Sequence, residues 1–466
     1  QLGVHSHAME FPKDQEPVIV VVGAGPAGAL AASAFARHGY KVKVYERRGR
    51  PEPDANNHNF TIVLNNKGLG AISAVGIPAR LLDFPLLACV RHSPTGSFSQ
   101  AFLRPRLGAA ANFERNELTA WLQQQAHAQY PGVEWHFEHR CMGVDFETRT
   151  ALFKDANDAV VSVPYTLLIA ADGASSVVRE SLVAHQPSFQ VSRKEAPLVY
   201  KRFQKFKCDA DLSSKYGQGA VLNFYPVAIP SALKGQPKWG FVTLVNHKEG
   251  TFSGGLSVYT SVQHLFNTPE DYEAAIRLMP LPQDVRQRLA ATLHSAPWSW
   301  GGTWVRCSAL HGPAAILVGD AAHSVTPSLG QGCNCALEDV TVLQQQLDAL
   351  LALNPATALQ ELPAAFTRVR LADVHALVWL DEHARAFRGQ MGVANRYFWM
   401  YMAHMHCRPL LHALAPGLVE RPALQRVWEG PCAYTHIKEQ LLQDGQMLAY
   451  AAGLTLAAAV AAGALA

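Results

Sequence analysis

The feature that most constrains the fold of this chain is an apolar run that ends in a glycine-rich turn and continues as a helix. The run is Val18-Ile19-Val20-Val21-Val22, and the turn is Gly23-Ala24-Gly25-Pro26-Ala27-Gly28. In a dinucleotide-binding turn of the form GxGxxG, the first glycine permits the bend and the second lets a pyrophosphate approach the backbone. The third lets the helix pack closely on the strand. The amides at the helix N-terminus then face the phosphates.

The next segment supplies the acidic residue that such a site requires. A second strand is expected from Lys41 to Tyr45, and Glu46 follows it. A carboxylate about twenty residues after the glycines accepts hydrogen bonds from ribose hydroxyls. A glycine-rich turn without a ligand is the alternative, but the order strand, helix, strand, acid favours a nucleotide site. The sequence therefore predicts a Rossmann-like α/β domain.

Composition excludes several other classes of protein. The chain has 466 residues and a net charge of +3 with mixed signs, which is not the footprint of a nucleic-acid-binding protein. Its eight cysteines form no CxxC pair, so we expect reduced thiols and no zinc site.

The apolar patterns divide the chain into a nucleotide-binding part, an inserted sheet and a helical end. Alternating, aromatic-rich strands between about residues 190 and 300 predict an inserted mixed β-sheet, which is a natural wall for a substrate pocket. An apolar strand near residue 315 predicts a return to the first domain. The predicted segments are the nucleotide-binding domain, first part, 17–190; the substrate-domain sheet, 191–305; the return segment and long helix, 306–390; the C-terminal helical region, 391–446; and an apolar tail, 447–466.

The tail from Met447 to Ala466 contains no charged residue and meets the length criterion for a membrane span. It is rich in alanine, which contributes little transfer free energy. A helix packed on the protein body or on a partner is therefore the alternative to a membrane anchor.

Two further motifs stand in order after the first turn. One is Asp172-Gly173 with Ser176 and Arg179, and the other is Gly319-Asp320 leading to Pro327 and Gly330-Gln331-Gly332. With the glycine turn, they resemble the single-component FAD-dependent aromatic hydroxylases, the para-hydroxybenzoate hydroxylase-like flavoproteins. The stretch from residue 319 to 339 is especially similar to the kynurenine 3-monooxygenase family.

The resemblance implies a set of FAD-binding residues. Glu46 would bind the adenosine ribose, Arg115 the phosphate region, and Asp320 the ribityl or pyrophosphate side. Amides at the N-terminus of the helix after Gly332 would lie near the pyrimidine edge, where reduced flavin develops negative charge. The expected FAD contacts are Gly23, Gly25, Pro26, Ala27, Gly28, Glu46, Arg47, Val63, Arg115, Asp172, Gly173, Asp320, Gly332, Cys333 and Asn334. For His323 two interpretations stay open: a histidine packed in the core, or a group that lies beside the flavin.

The resemblance also implies an activity. NADPH or NADH would reduce FAD, O2 would form a flavin C4a-hydroperoxide, and oxygen would pass to an organic, aromatic substrate without a dedicated catalytic acid or base. Because there is no second GxGxxG, we expect the nicotinamide cofactor to bind transiently. Two alternatives stay open: an epoxidase or reductase acting on a membrane-borne lipophilic substrate, and a non-enzymatic flavoprotein subunit of a membrane assembly. The family's eukaryotic members suggest the mitochondrial outer membrane as the location, with a plastid or another organelle as alternatives.

Substrate contacts are expected on the inserted sheet and after the motif proline. The candidates are Tyr225, Phe252, Pro327, Ser328 and Leu329, although core packing is the default for aromatic residues on strands. Where the kynurenine enzymes carry aromatic or histidine residues after the proline, this chain has Ser328 and Leu329. Rough alignment puts further family positions at Arg91, Glu382, Arg385 and Tyr434.

Overall fold

The structure is a computed structural model, and it describes residues 16–52, 60–77, 85–93, 96–98, 110–207, 219–229, 240–247, 250–384, 399, 403, 407–429 and 432–463. Its strands are β1 (Val18–Val22), β2 (Lys41–Tyr45), β3 (Thr61–Leu64), β4 (Leu86–Ser93), β5 (Gly96–Phe98), β6 (Ala111–Glu114), β7 (Glu134–His136), β8 (Arg140–Asp145), β9 (Thr150–Lys154), β10 (Val160–Pro164), β11 (Leu167–Ala170), β12 (Val191–Glu195), β13 (Leu198–Lys207), β14 (Ala220–Pro226), β15 (Gly240–Asn246), β16 (Thr251–Tyr259), β17 (Ser299–Trp300), β18 (Thr303–Cys307), β19 (His311–Gly312) and β20 (Ala315–Leu317).

The helices lie between and after these strands. They are α1 (Pro26–Arg37), α2 (Asn66–Ala74), α3 (Arg115–Gln129), α4 (Val177–His185), α5 (Pro269–Ala275), α6 (Gln283–Ser295), α7 (Gly332–Leu353), α8 (Ala358–Ala384), α9 (Arg408–Leu414), α10 (Ala423–Glu429) and α11 (Tyr434–Gly463). Short 3-10 turns occur at Thr260–Leu265 and Gly319–Ala321.

The central sheet has the strand order β19-β20-β11-β1-β2-β7, and β1 pairs in parallel with both β2 and β11. Strand β1 is almost wholly apolar and buried, as expected for a parallel strand with both faces covered. Strand β20 returns after the inserted segment and pairs in parallel with β11. These features confirm the predicted Rossmann-like α/β class and the strand at residues 41–45.

The inserted sheet is larger than the sequence indicates. Its order is β17-β13-β16-β15-β14-β4-β5, so β4 and β5 join it from within the predicted nucleotide-binding segment 17–190. The boundary prediction missed this because β4 pairs with β14 through backbone hydrogen bonds, which side-chain patterns do not encode. Helices α5 and α6 were also not predicted. They pack an apolar face against the sheet, in a cluster that includes Tyr272, Leu289 and Leu256.

The C-terminal region is helical where the structure describes it, in agreement with the prediction. The tail residues from Met447 onward continue α11, which begins at Tyr434. Among the described helices, none combines the length and the apolar character needed to cross a bilayer. The predicted membrane anchor therefore gains no support from these helices.

Candidate active site

The glycine turn has the geometry that a phosphate site requires. Gly23 has φ +98°, and a Cβ there would lie 2.4 Å from the carbonyl oxygen of Ala171. A Cβ on Gly28 would lie 1.9 Å from the Gly23 oxygen, so both positions must be glycine. Gly25 differs, because a Cβ there would have open space, with Arg115 Nη2 at 3.9 Å as its near neighbour. The bare backbone at Gly25 and the guanidinium of Arg115 thus flank a space suited to a phosphate.

Two side chains fix the turn from outside. The carboxylate of Glu46 accepts hydrogen bonds from the backbone N–H of Ala24 at 2.9 Å and of Arg48 at 3.0 Å. Gln123 on α3 donates to the carbonyl oxygen of Ala24 at 2.7 Å. Each Glu46 oxygen has a second lone pair for a ribose hydroxyl. Arg47 is exposed beside it. No sequence pattern marks Gln123, because its partner is a backbone carbonyl on a distant segment.

Asp320 lies where the Gly319–Ala321 turn approaches α1. A Cβ on Gly319, which has φ +57°, would lie 2.9 Å from Ala336 Cβ on α7 and 3.8 Å from Ala27 Cβ on α1. Asp320 is exposed to solvent, yet burial raises the pKa of its carboxyl, and the charges of His323 and Arg115 oppose that rise. The Asp320 carboxyl is therefore partly desolvated although its residue is accessible, and it lies within electrostatic reach of the Arg115 guanidinium.

The Asp172-Gly173 motif forms the loop before α4. Asp172 Oδ2 accepts hydrogen bonds from the backbone N–H of Val177 at 2.7 Å and of Val178 at 3.3 Å. Its Oδ1 is buried with no hydrogen-bond partner in the described part of the chain, and burial raises the pKa of the carboxyl. A buried acceptor without a donor fits a ligand that supplies one.

Arg179 ties this loop to the Asp320 turn. Its guanidinium is buried and donates to the carbonyl oxygens of Ala174 at 2.6 Å and of Ala321 at 2.8 Å. The two motifs that stand far apart in the sequence are thereby held side by side.

The start of α7 offers backbone amides rather than side chains. The N–H groups of the first turn of a helix have no intrahelical acceptor, and here they belong to Gly332, Cys333 and Asn334. The side-chain amide of Asn334 has partners within the protein: its Nδ2 donates to the carbonyl oxygen of Val63 at 2.9 Å, and its Oδ1 accepts from the backbone N–H of Asn65 at 2.9 Å. Burial raises the pKa of Cys333 to about 12, so this half-buried thiol is neutral near pH 7.

A buried carboxylate holds the loop with the motif proline. Asp381 Oδ2 accepts hydrogen bonds from Trp304 Nε1 at 2.8 Å, from the Thr326 backbone N–H at 2.8 Å and from the Thr326 hydroxyl at 2.6 Å. Thr326 Oγ1 also lies 2.9 Å from Ser328 Oγ. Pro327 is exposed, Ser328 half-buried and Leu329 buried. Of the three predicted substrate residues here, Pro327 and Ser328 are therefore the accessible ones.

The inserted sheet places its aromatic side chains on two faces. Tyr225 and Phe252 belong to the core cluster under α5 and α6, so they lie on the helix-covered face. Successive side chains of a strand point to opposite faces. Phe224 therefore points the other way, toward Val63 and Trp428, and its ring centroid lies 5.8 Å from that of Phe241. Tyr225 instead stacks on His92 at 4.0 Å.

The remaining alignment-based positions have other partners. Glu382 forms ion pairs with Arg306 at 2.6 Å and Lys194 at 2.7 Å. The hydroxyl of Tyr434 donates to Gln331 Oε1 at 3.1 Å, which docks α11 against the loop before α7. The Arg91 side chain and all of Arg385 lie outside the described residues.

The residues present fit a bound dinucleotide such as FAD. The glycine turn lies against both Arg115 and the Asp172 backbone, and the charge of Arg115 acts on Asp320 and on Cys333 at the start of α7. Phe224 lies close by, because its cluster includes Val63, whose carbonyl oxygen binds Asn334.

Comparisons with known proteins agree with this geometry. The family model described as an FAD binding domain matches residues 16–378. Kynurenine 3-monooxygenase of Salinispora tropica is 31% identical over 71% of this chain and 72% of the relative. The enzyme of the same name from Neurospora crassa is 26% identical over 94% of this chain and 90% of the relative. Violacein synthase of Chromobacterium violaceum is 26% identical over 84% of this chain and 90% of the relative.

Solved structures share the fold. The tetrameric form of 2-methyl-3-hydroxypyridine-5-carboxylic acid oxygenase aligns with a TM-score of 0.62 at 20% identity, covering 80% of this chain and 92% of that one. HpxO of Klebsiella pneumoniae, solved with FAD and uric acid, aligns with a TM-score of 0.57 at 20% identity, covering 92% and 97%.

Proposed function

Because the chain belongs to the FAD-dependent monooxygenases that carry this FAD-binding domain and include kynurenine 3-monooxygenase, we propose that it hydroxylates a small aromatic substrate of the kynurenine type. The enzyme uses FAD with NAD(P)H and O2, and its fold is that of the FAD-dependent hydroxylases. Kynurenine comes from the names of the relatives. The identity of the substrate is thus the part of the proposal that needs a direct test.

One observation carries the aromatic part of the proposal. Phe224 and Phe241 are half-buried neighbours on the face of the inserted sheet that is turned away from α5 and α6. Phe224 packs in one cluster with Val63 and Trp428, and Gly330 contacts Trp428. An apolar, aromatic wall beside the flavin loop suits a flat apolar ring.

The binding roles of the other residues follow from their positions. Arg115 and the open backbone at Gly25 would bind the pyrophosphate of FAD, Glu46 the ribose hydroxyls, and Asp320 the ribityl chain. The first amides of α7 would face the pyrimidine edge, where they stabilise negative charge without a titratable group. Bound FAD supplies the redox and oxygen chemistry. The task of the chain is to hold the cofactor, exclude water and orient the ring of the substrate.

The first experiment is NADPH oxidation by the FAD-loaded protein with and without L-kynurenine, with hydrogen peroxide and product mass recorded. We expect stimulated oxidation and a product heavier by one oxygen atom. Stimulation with peroxide alone would identify kynurenine as a mimic of another substrate. If L-kynurenine did not stimulate NADPH oxidation by the FAD-loaded protein, the kynurenine assignment would be contradicted. The assignment to the monooxygenase family would be unaffected.

Membrane association and an organellar location stay predictions from the family resemblance. Carbonate extraction of membranes from cells that express the full chain, beside a chain ending at residue 446, would test them. We expect only the full chain to pellet if the tail is an anchor, and equal solubility would contradict the anchor.

A further inference from the structure

We propose that His323 and Asp339 act as a buried positioning pair, which holds Asp320 in the orientation and charge state that FAD binding needs. The proposal concerns the cofactor site alone, so it stands or fails independently of the substrate. Neither residue is a candidate ligand itself, because His323 is 2% and Asp339 0% exposed. They act through the turn that carries Asp320.

The geometry joins Asp339 to both sides of Asp320. Asp339 Oδ2 accepts a hydrogen bond from the backbone N–H of Gly319 at 2.7 Å and from His323 Nε2 at 2.6 Å. The His323 backbone N–H donates to the Gly319 carbonyl oxygen at 2.9 Å. A single carboxylate oxygen on α7 thus holds both ends of the turn that carries Asp320. This contact requires a glycine at position 319, because the backbone there approaches α7 too closely for a side chain.

The other oxygen of Asp339 is fixed from α8. Arg370 Nε donates to Asp339 Oδ1 at 2.8 Å, and the same guanidinium binds Glu338 at 2.8 Å and Asp373 at 3.0 Å. Glu338 in turn lies 2.6 Å from Lys67 Nζ. Asp339 therefore has little freedom to reorient, and a rigid carboxylate is what a positioning role requires.

The Asp339 carboxylate is fully buried and has a different partner at each oxygen. Arg370 Nε lies 2.8 Å from its Oδ1, and His323 Nε2 lies 2.6 Å from its Oδ2. A buried carboxylate is stabilised when both partners are positively charged, so this geometry favours the protonated imidazole.

The pKa directions agree with that geometry. Burial lowers the pKa of His323, but the charges of Asp339 and Cys335, together with the hydrogen bonds to both, raise it well above its ordinary value. Burial alone would raise the pKa of Asp339, but His323 and Arg370 hold it below its ordinary value. The charge of His323 also opposes the burial-raised pKa of Asp320.

The groups that face His323 come from three elements. Asp320 lies on its own turn, Cys335 and Asp339 on α7, and His375 with Arg370 on α8. The Cys335 thiol lies 4.0 Å from His323 Nδ1. Of these groups, Asp320 is the exposed one. The charge of His323 therefore affects a bound ligand through its effect on the Asp320 carboxyl.

A metal ion is the rival explanation of the same side chains. The ligand atoms of His323, Cys335 and Asp339 lie within 4.8 Å of one another. However, Arg370 Nη2 lies 3.2 Å from Cys335 Sγ, and Arg370 Nε lies 2.8 Å from Asp339 Oδ1. The guanidinium occupies the cation position, so the cluster is complete without a metal.

Two histidine variants separate the hydrogen bond from the charge. In His323→Gln the amide nitrogen takes the place of Nε2 and keeps the bond to Asp339, whereas the shorter side chain of His323→Asn does not reach. We measure the dissociation constant of FAD by fluorescence titration of the apoprotein between pH 5.5 and 9. For His323→Asn and for Asp339→Asn we expect at least a tenfold loss of affinity.

His323→Gln should change the pH profile instead. Without the imidazolium, the pKa of Asp320 rises, so FAD affinity should begin to fall at a higher pH on acidification than in the wild type. The matched control is Asp348→Asn, which removes a carboxylate from the exposed part of the same helix. The proposal would be overturned if both histidine variants kept the FAD affinity and the pH profile of the wild type. It would also be overturned if Asp348→Asn lost as much FAD affinity as the histidine variants.

Nitrogen-15 NMR of histidine-labelled wild-type protein covers the case in which the variants do not fold. The His323 imidazole should stay protonated at pH 8, when exposed histidines are neutral. A resonance of His323 that titrates near pH 6.5 would overturn the charge assignment.

Discussion

Gly25 and Arg115 face each other across an open space, because a Cβ on Gly25 would come no closer than 3.9 Å to Arg115 Nη2. Gly23, only two residues away, has no room for a Cβ, which would lie 2.4 Å from the Ala171 oxygen. Two glycines of one turn thus serve different purposes, one for the ligand and one for the fold.

Gly25→Ala should therefore weaken FAD binding without unfolding the protein. The methyl group enters the phosphate space while the backbone keeps its extended conformation, so we expect at least a tenfold rise in the FAD dissociation constant. The free energy of unfolding of the apoprotein should fall by no more than about 0.5–2 kcal/mol, the range seen when alanine replaces a helix N-cap residue. Denaturant unfolding and FAD titration measure the two effects. Gly23→Ala should instead lower apoprotein stability, and an unchanged FAD affinity in Gly25→Ala would refute the assignment of the phosphate space.

Asp381→Asn should loosen the motif-proline loop. The amide oxygen accepts less strongly than a carboxylate, and three donors from Trp304 and Thr326 converge on that oxygen. We expect a loss of about 1–3 kcal/mol in the free energy of unfolding. The indole N–H resonance of Trp304 should also shift. Trp304→Phe, which keeps the Asp381 carboxylate, is the comparison. It should shift the NMR signals of Thr326 less than Asp381→Asn does. Unchanged unfolding in Asp381→Asn would show that the carboxylate is dispensable.

Phe224→Ala should raise KM for the aromatic substrate, whereas Tyr225→Phe should not. Neighbouring residues of β14 point to opposite faces of the sheet, and only Phe224 joins the cluster with Val63. We expect at least a fivefold rise in KM for Phe224→Ala and less than a twofold change for Tyr225→Phe. Steady-state NADPH oxidation coupled to product detection measures both. The reverse pattern would restore Tyr225 as the substrate contact.

Glu114→Gln should stabilise the protein more at high pH than at low pH. Burial raises the pKa of Glu114, with the charge of Lys205 opposing, and the Gln204 amide donates to Glu114 Oε2 at 2.9 Å. A carboxyl whose pKa is raised on folding favours the native state below its unfolded pKa, and loses that contribution as pH rises through the folded pKa. Glutamine does not ionise, so the advantage of the variant should grow between pH 4 and 8. Urea unfolding at both pH values tests this, with the exposed Glu147→Gln as control. Equal differences at both pH values would argue against a raised pKa.

The elements that the sequence predicts well are those with local signals. The apolar run before Gly23, the strand ending at Tyr45 and the helix after Gly332 are encoded by residues next to one another. The nucleotide-binding fold follows from their order, since a parallel βαβ unit has few topological choices.

What the sequence could not reveal depends on distant backbone partners. Gln123 binds a carbonyl oxygen, β4 joins β14 by backbone pairing, and Asp339 reaches the N–H of Gly319. No residue pattern marks a backbone acceptor on another segment. The burial of Tyr225 under α5 and α6 was also beyond the sequence, because alternation identifies two faces of a strand but not which of them a helix will cover.

The position of β20 has a consequence for synthesis of the protein on the ribosome. Strands β1, β2 and β11 emerge early, but β20, which pairs with β11, follows the whole inserted sheet. Until residue 317 leaves the exit tunnel, β11 presents an unpaired edge, the kind of edge that recruits strands from other chains. The turn with Asp320 comes directly afterwards. The nascent chain must therefore be shielded from aggregation throughout the translation of the inserted sheet, and its cofactor pocket closes only after that interval has ended.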